Sequence, residues 1–503
     1  MNLLLTTKNY KKLMLLTYLA KHPLTKNIKT ISIDLHLSIP STKRLILDLN
    51  NDLVTHFSES IYINISTNSA SLINSSPQYS SVDLIEFFKM SYLKDSVPYQ
   101  ILHLLFFNKY PSVNLITTEL FISRSFFYKT IDELAKPLKA WHIEMNLSSK
   151  TNRPNFIAKQ EHLRAFYVYF FWNTFKQLEW PFEPQELILI KQSLNRSNLP
   201  FISNSKLRKI EIYLAITNKM ISEKNFVILN NDEKQLLLCI SDENDLSIPI
   251  NNLYYQQFSN HSFTNIENEK LFFNFVIRLF SPGIDNSSQI KRIGNNFFHC
   301  NNPIIMRSKN FLDYIINKFH LDTDHDTIIE MIYYIVFYFF IFEKLNIDYL
   351  AFNKTVSPID KISINSLENK ELTYAIKNSV DQFFKKNYSI QSYVSSNTKD
   401  VFYNLTYFII SSLQKKSLIV YVQCTKNMHS ETLIKKNLTL LFGNDTLKIT
   451  SVIEDADIVI TDSNEKSFRT NQEIYFFEMT HSLETWQQLV SFLQKKLIKI
   501  VLN

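Results

Sequence analysis

Two short runs of the chain set hydroxyl groups beside fixed positive charge. Ser41, Thr42, Lys43 and Arg44 form the first; Ser123, Arg124 and Ser125, with Tyr128 and Lys129 one turn on, form the second. Serine and threonine hydroxyls at a helix start, together with the backbone N–H groups there, suit phosphate oxygens, while arginine and lysine can reach guanine edges. The chemistry these sets can do is recognition of a nucleic-acid duplex. No catalytic constellation accompanies them. HExxH, GxSxG and phosphate-loop patterns are absent, and the close carboxylates Asp322/Asp324 and Asp455/Asp457 fall in turns, where they cap helices or are solvated. The expectation is no enzyme, no cofactor and no metal.

Elements able to hold these residues can be read from periodicity. Helices at residues 98–108 and 113–120 lead into a tight turn, after which Ser123 caps a third helix. Along it Phe127, Ile131, Leu134 and Leu138 make one buried face, and Ser125, Lys129, Asp132 and Lys136 make the opposite one. That is a helix-turn-helix pattern. A second, independent unit precedes it. Helices at residues 8–20 and 28–36 are followed by a third, with Pro40 ahead of an N-cap at Ser41 or Thr42. There Leu45, Ile46, Leu49 and Leu53 face inward, Lys43, Arg44 and Asn51 face out, and Leu47 points outward toward a thymine methyl or another protein. Alternating strands at 61–66 and 69–75 read as a wing hairpin, and a polar linker at 75–81 separates the two units. Reading units centred roughly 80 residues apart can engage successive grooves or two half-sites.

Bulk properties agree with this. A chain of 503 residues is too long for one core and implies several domains. Residues 1–160 hold 18 Lys and Arg against 11 Asp and Glu, and the rest holds 36 of each, so the net charge of +7 lies where the reading units lie. With three glycines in all, no glycine-rich phosphate loop can be built. Cys239, Cys300 and Cys424 are scattered, which fits a reducing compartment and gives neither a disulfide framework nor a zinc site. The longest apolar run, residues 331–342, is closed by Glu343 and is too short to span a bilayer. The N-terminus lacks the long apolar segment of a signal peptide. A soluble, cytoplasmic protein with no membrane partner is expected.

The fold class expected is multidomain and mainly α. Residues 1–75 form a winged helix-turn-helix domain and 82–160 a second helix-turn-helix domain. All-α domains follow at 161–290 and 295–410, broken at 281–288 (SPGIDNSS), and 415–503 form a small α/β domain with a mostly parallel sheet. In that order the parts resemble the Mga/AtxA family of bacterial transcription regulators. The residues that carry the likeness are LSIPSTKRLILDLN in the first unit, ELFISRSFFYKTIDEL in the second, and NFIAKQEHLRAFYVYFFW…LEWPF at 155–182, where the family has xGxExxIRxFyxxff…WPF. Asn155 departs from that pattern by standing where Gly is frequent.

The resemblance implies DNA binding by the N-terminal units, helical blocks similar to regulation domains that the sugar phosphotransferase system phosphorylates on histidine, and a C-terminal domain like an enzyme IIB component associated with oligomerisation. Candidate phosphoacceptors are His261, His299, His320 and His325; for any one of them, a surface or hydrogen-bonded histidine is the plainer reading. In the first block the related acceptor position falls at about Glu211, a permanent carboxylate that either imitates the modified state or is solvated. Cys424 ends a strand where an enzyme IIB has its phosphocysteine, but the loop TKNMHSE has no glycine and carries bulky Met428, so a half-buried structural thiol is the reading. The function expected is a DNA-binding regulator, an activator acting as a homodimer or higher homo-oligomer, with double-stranded DNA and the phosphotransferase phosphocarrier as partners. Alternatives are an RNA-binding antiterminator with the same regulation domains, which would begin with a β-rich module, and a phosphotransfer component.

Overall fold

The computed structural model describes the chain apart from residues 23, 109–111, 147–154, 196–201, 242–245, 247–248, 253–262, 348–350, 353–369, 389–395, 414–416, 426–428, 445, 464–471, 478–481 and 503. It divides into two compact units, Met1–Ser308 with Ile332–Ser357, and Lys309–Met331 with Pro358–Asn503. Its described residues are mainly helical, with a parallel sheet toward the C-terminus.

The first unit opens with α1 (Thr7–Lys21), β1 (Lys26–Asn27), α2 (Ile28–Asp34) and α3 (Ile39–Phe57). Leu45, Ile46, Leu49 and Leu53 recur at helical spacing along α3 and are buried against Leu15, Leu16 and Leu19 of α1, each such side chain contributing about 2 kcal/mol. Strands β2 (Ile61–Ile65) and β3 (Ser69–Asn74) form the expected hairpin in a sheet of order β1-β3-β2. The Asn50 carboxamide oxygen accepts the Ile63 N–H at 2.6 Å, which ties α3 to the wing.

Next come α4 (Ser81–Lys94), α5 (Val97–Phe107), α6 (Val113–Glu119) and α7 (Arg124–Lys139), closed by the antiparallel pair β4 (Glu144–Met145) and β5 (Phe156–Ile157). Asn155, at the position where Gly is frequent in the resembled pattern, donates its amide to the carbonyls of Leu105 and Asn108 at 2.7 and 2.6 Å, so its buried side chain fastens β5 to the end of α5. Helix α8 (Gln160–Phe175) is mostly buried, with Phe166, Tyr167, Phe170 and Phe171 in the core and Glu161, His162 and Arg164 buried beside them. It stacks Phe170 on Tyr99 of α5 and packs Phe166 against Trp141, so the reading helices and the helical block share one core.

The helical block continues through α9 (Pro184–Asn195), α10 (Asn204–Ser222), α11 (Asn231–Leu238), α12 (Phe263–Phe280) and α13 (Ser287–His299). Buried ion pairs brace it. Arg164 lies wholly inside, two of its nitrogens on the Glu269 carboxylate and one on the Asn225 carbonyl, while Glu269 also accepts the Val227 N–H. Arg278 pairs with Asp285 at 2.7 Å, and the Tyr333 hydroxyl joins the same carboxylate. The run at 281–288 is thus the turn between α12 and α13, crossed by a buried network. The apolar run beyond Ile332 is interior: Ile335, Val336, Phe339 and Phe340 are wholly buried, and Phe337 stacks on Phe275. No helix among the described residues is long and apolar enough to cross a membrane.

In the second unit α16 (Lys370–Asn387) and α17 (Ser396–Leu413), numbered after α14 (Pro303–Phe319) and α15 (His325–Phe340), pack with Phe311 and Tyr314. Strands β6 (Leu418–Gln423), β7 (Leu447–Thr450), β8 (Ile458–Thr461) and β9 (Glu473–Phe476) form a wholly parallel sheet of order β7-β6-β8-β9. Helices α18 (Ser430–Phe442) and α19 (Leu483–Leu502) bury Ile434, Leu438, Leu489 and Leu493 against it.

Candidate nucleic-acid interface

The two reading units make the same turn, bond for bond. After α2, Leu35 N–H donates to Ile31, His36 to Ile33 and Leu37 to Ser32; after α6, Leu120 donates to Ile116, Phe121 to Thr118 and Ile122 to Thr117. The third-from-last residue before each α3 or α7 start, His36 or Phe121, holds a left-handed φ of 53°. Ser38 and Ser123 then cap the following helix, their hydroxyls accepting the N–H of Ser41 and Phe126. The N-cap of α3 is therefore Ser38, not Ser41 or Thr42. Pro40 falls inside the first turn, where its missing N–H costs nothing and its fixed φ suits the helix.

That shift of register sorts the candidate residues. Ser41, Lys43 and Arg44 are exposed on the first turns of α3, with Leu47 beside them. Thr42 is withdrawn: its side chain is wholly buried and its hydroxyl donates back to the Ser38 carbonyl at 3.0 Å. On α7, Ser123, Arg124, Ser125, Tyr128 and Lys129 are all exposed, while Phe127, Leu134 and Leu138 are buried as their spacing predicts. Two aromatic residues join this face that the sequence reading left out, Phe126 and Phe121, the latter 94% exposed at the turn. The signal for Phe126 was its place one residue off the buried series; nothing in the sequence marked Phe121.

Positive charge gathers on the first unit. Lys8 pairs with Asp48 at 2.8 Å and, with Lys12 and Arg44, holds that carboxyl below the usual carboxylate range. Lys12 also reaches Asp52 at 2.5 Å, and the Tyr92 hydroxyl of α4 donates to the same Asp52. With His56 and Phe57 of α3 packed edge-on against Phe87 and Phe88 of α4, the two reading units are stitched together across the linker.

The regulatory candidates are scattered. His299 ends α13, His320 lies beyond α14 with a left-handed φ of 51°, and His325 begins α15; all three are exposed, and His261 lies outside the described residues. Glu211 is not solvated. It is buried on α10 and paired with Arg208 at 3.0 Å, and burial raises its carboxyl against the opposing pull of Arg208 and Lys191. Cys424 stands at the carboxyl end of β6, beside the point where the strand order reverses between β6 and β8. There the Asp462 carboxylate takes both the Thr425 N–H and its hydroxyl, at 2.8 and 3.0 Å. Burial, then Asp462 and Glu431, push the Cys424 thiol up to about 11. A carboxylate thus already occupies both Thr425 donors next to the thiol.

Residues 83–171 match the Mga helix-turn-helix domain. That interval runs from α4 through most of α8 and contains the second turn. Over 181 residues, 36% of this chain, the sequence is 27% identical to a protein of Streptococcus pneumoniae serotype 4 named "Putative trans-acting regulator". The match spans 34% of that relative's length, about a third.

Proposed function

On the premise that both matches support the Mga family of regulators, we propose that this protein is a DNA-binding transcription regulator, an activator acting as a homodimer or higher homo-oligomer. The observation that carries the reading is the pair of equivalent turns, each presenting serine hydroxyls and basic side chains from the start of an exposed helix. The readers would be residues 1–75 and 82–160, followed by regulation-like helical domains at 161–290 and 295–410 and an enzyme IIB-like domain at 415–503. Ser41, Lys43, Arg44, Ser123, Arg124, Ser125, Tyr128 and Lys129 are the proposed DNA contacts. His299, His320 and His325, with His261, are the proposed acceptors of a phosphoryl group from the phosphotransferase phosphocarrier, a modification that would shift subunit association. The compartment proposed is the cytoplasm.

A helical N-terminus speaks against the antiterminator alternative, and the carboxylate lodged at Thr425 speaks against phosphotransfer through Cys424. The test is selection of duplex sites by the full-length protein from random DNA, then titration of the selected duplex and the matching RNA at several salt concentrations. Duplex DNA is expected to win. Arg124→Ala with Lys129→Ala should cost about 1–3 kcal/mol where a base edge is read and lower the salt slope by about one per lost phosphate contact. Equal affinity for RNA, or no loss in the double variant, overturns the assignment of the second unit as a reader.

A further inference from the structure

The equivalence of the two turns continues along the helices that follow them. With His36 matched to Phe121 and Ser38 to Ser123, the positions of α3 and α7 correspond one to one. The inward residues agree: Thr42 and Phe127, Leu49 and Leu134, and Leu53 and Leu138 are all buried. The outward residues correspond as well. Arg44, Leu47 and Asn51 on α3 answer to Lys129, Asp132 and Lys136 on α7, and all of these are exposed. Helices placed so alike can be compared position by position for what each presents to a groove.

At the first of these positions both helices carry a cation able to reach guanine O6 and N7. At the second they part. Leu47, 55% exposed, offers an apolar side chain, and the base group that suits it is the thymine methyl. Asp132 offers acceptors alone when ionised, and cytosine presents its N4 amine with no acceptor of its own beside it, whereas adenine sets N7 next to N6. Three residues along a helix rise about 4.5 Å, close to the roughly 3.4 Å step of the duplex, so the paired positions address neighbouring base pairs.

We propose that the two readers recognise different base sequences: a guanine with a neighbouring thymine through Arg44 and Leu47, and a guanine with a neighbouring cytosine through Lys129 and Asp132. This rests on the DNA reading proposed above and deepens it. The target of one chain is then two unlike half-sites, and a dimer repeats the unlike pair rather than a single motif. A carboxylate brought among phosphates is repelled unless a base amine meets it, so Asp132 acts chiefly by rejecting other sequences.

The test repeats the duplex selection with the full-length protein, with Leu47→Ser and with Asp132→Leu. The wild type should select two dissimilar motifs, and each variant should change the preferred base at one position in one of them. Replacing the thymine assigned to Leu47 by uracil, which removes only the methyl, should weaken the wild type about fourfold and leave Leu47→Ser unaffected. Asp132→Leu should exchange a cytosine preference for thymine, moving the ratio of the two affinities by about tenfold or more, as for a mismatched base pair. The ratio is the readout because losing a carboxylate strengthens binding to any duplex. A selected site built of one repeated motif, or base preferences unchanged in either variant, overturns the inference while the duplex reading stands. Selection of no duplex at all overturns both.

Discussion

Phe121 combines two unfavourable features. It holds a left-handed backbone, which costs an L-residue with a side chain roughly 1–2 kcal/mol, and its ring is almost wholly in water. Glycine would remove the strain at an entropic cost of about 0.5–1 kcal/mol, and there is no packing to lose. Phe121→Gly is therefore expected to stabilise the first compact unit by about 0.5–1 kcal/mol, read as a higher urea midpoint; a lower midpoint would mean that the ring contributes to the fold. His162 is the opposite case. It is buried in the first unit, and its ring centroid is 4.9 Å from that of His142. Burial, then His142, lower its pKa, against the raising effect of Glu161. The sign follows: above about pH 6.5 both folded and unfolded imidazoles are neutral, and below it the unfolded chain takes up the proton first. Stability should fall as pH drops from about 6.5 through the lowered native value. His162→Leu should flatten that slope, leaving a smaller one from His103, whose pKa burial also lowers.

At the scale of elements, α8 joins the second reading unit to the helical block within the first compact unit. Its Arg164–Glu269 pair is out of reach of water, and removing one partner strands a charge in the interior. Arg164→Met should cost about 3–5 kcal/mol in chemical unfolding, whereas exchanging both partners for apolar residues should cost much less. A loss under about 1 kcal/mol for the single variant would mean that water reaches the site. The same helix shows what periodicity could and could not reveal. Helices α1 to α3, α5 to α7 and the parallel strands of the second unit were legible because each has one apolar face, as Phe127, Leu134 and Leu138 show, or a short apolar run; α4 was not read. Helix α8 is strongly aromatic with no single apolar face, so the sequence did not say which side of it packs against what. Its place in the core of the second reading unit came from Tyr99 and Trp141, residues far away in the chain. The N-cap at Ser38 was legible too, since Pro40 is compatible with a first turn; taking Pro40 as the boundary moved the cap to Ser41 or Thr42 and turned Thr42 outward on paper, although it is buried. Exposed Phe126 could be told only from its place one residue off the buried series, and exposed Phe121 left no trace at all.

For the whole molecule, under the DNA reading proposed above, the stitch between Lys12, Asp52 and Tyr92 limits what kind of target the two units can take together. Two readers joined by a loose tether would accept their sites at many separations. Readers clamped by a shared carboxylate and interlocked rings cannot swing independently. The helical phase of the target then becomes part of the code: adding about five base pairs between the two contacted segments turns one of them to the far side of the duplex, and adding about ten brings it back. Affinity should collapse with the first insertion and largely return with the second. With Asp52→Ala loosening the clamp, the half-turn penalty should shrink, which would make one aspartate between the two units the setting for tolerance of misphased sites.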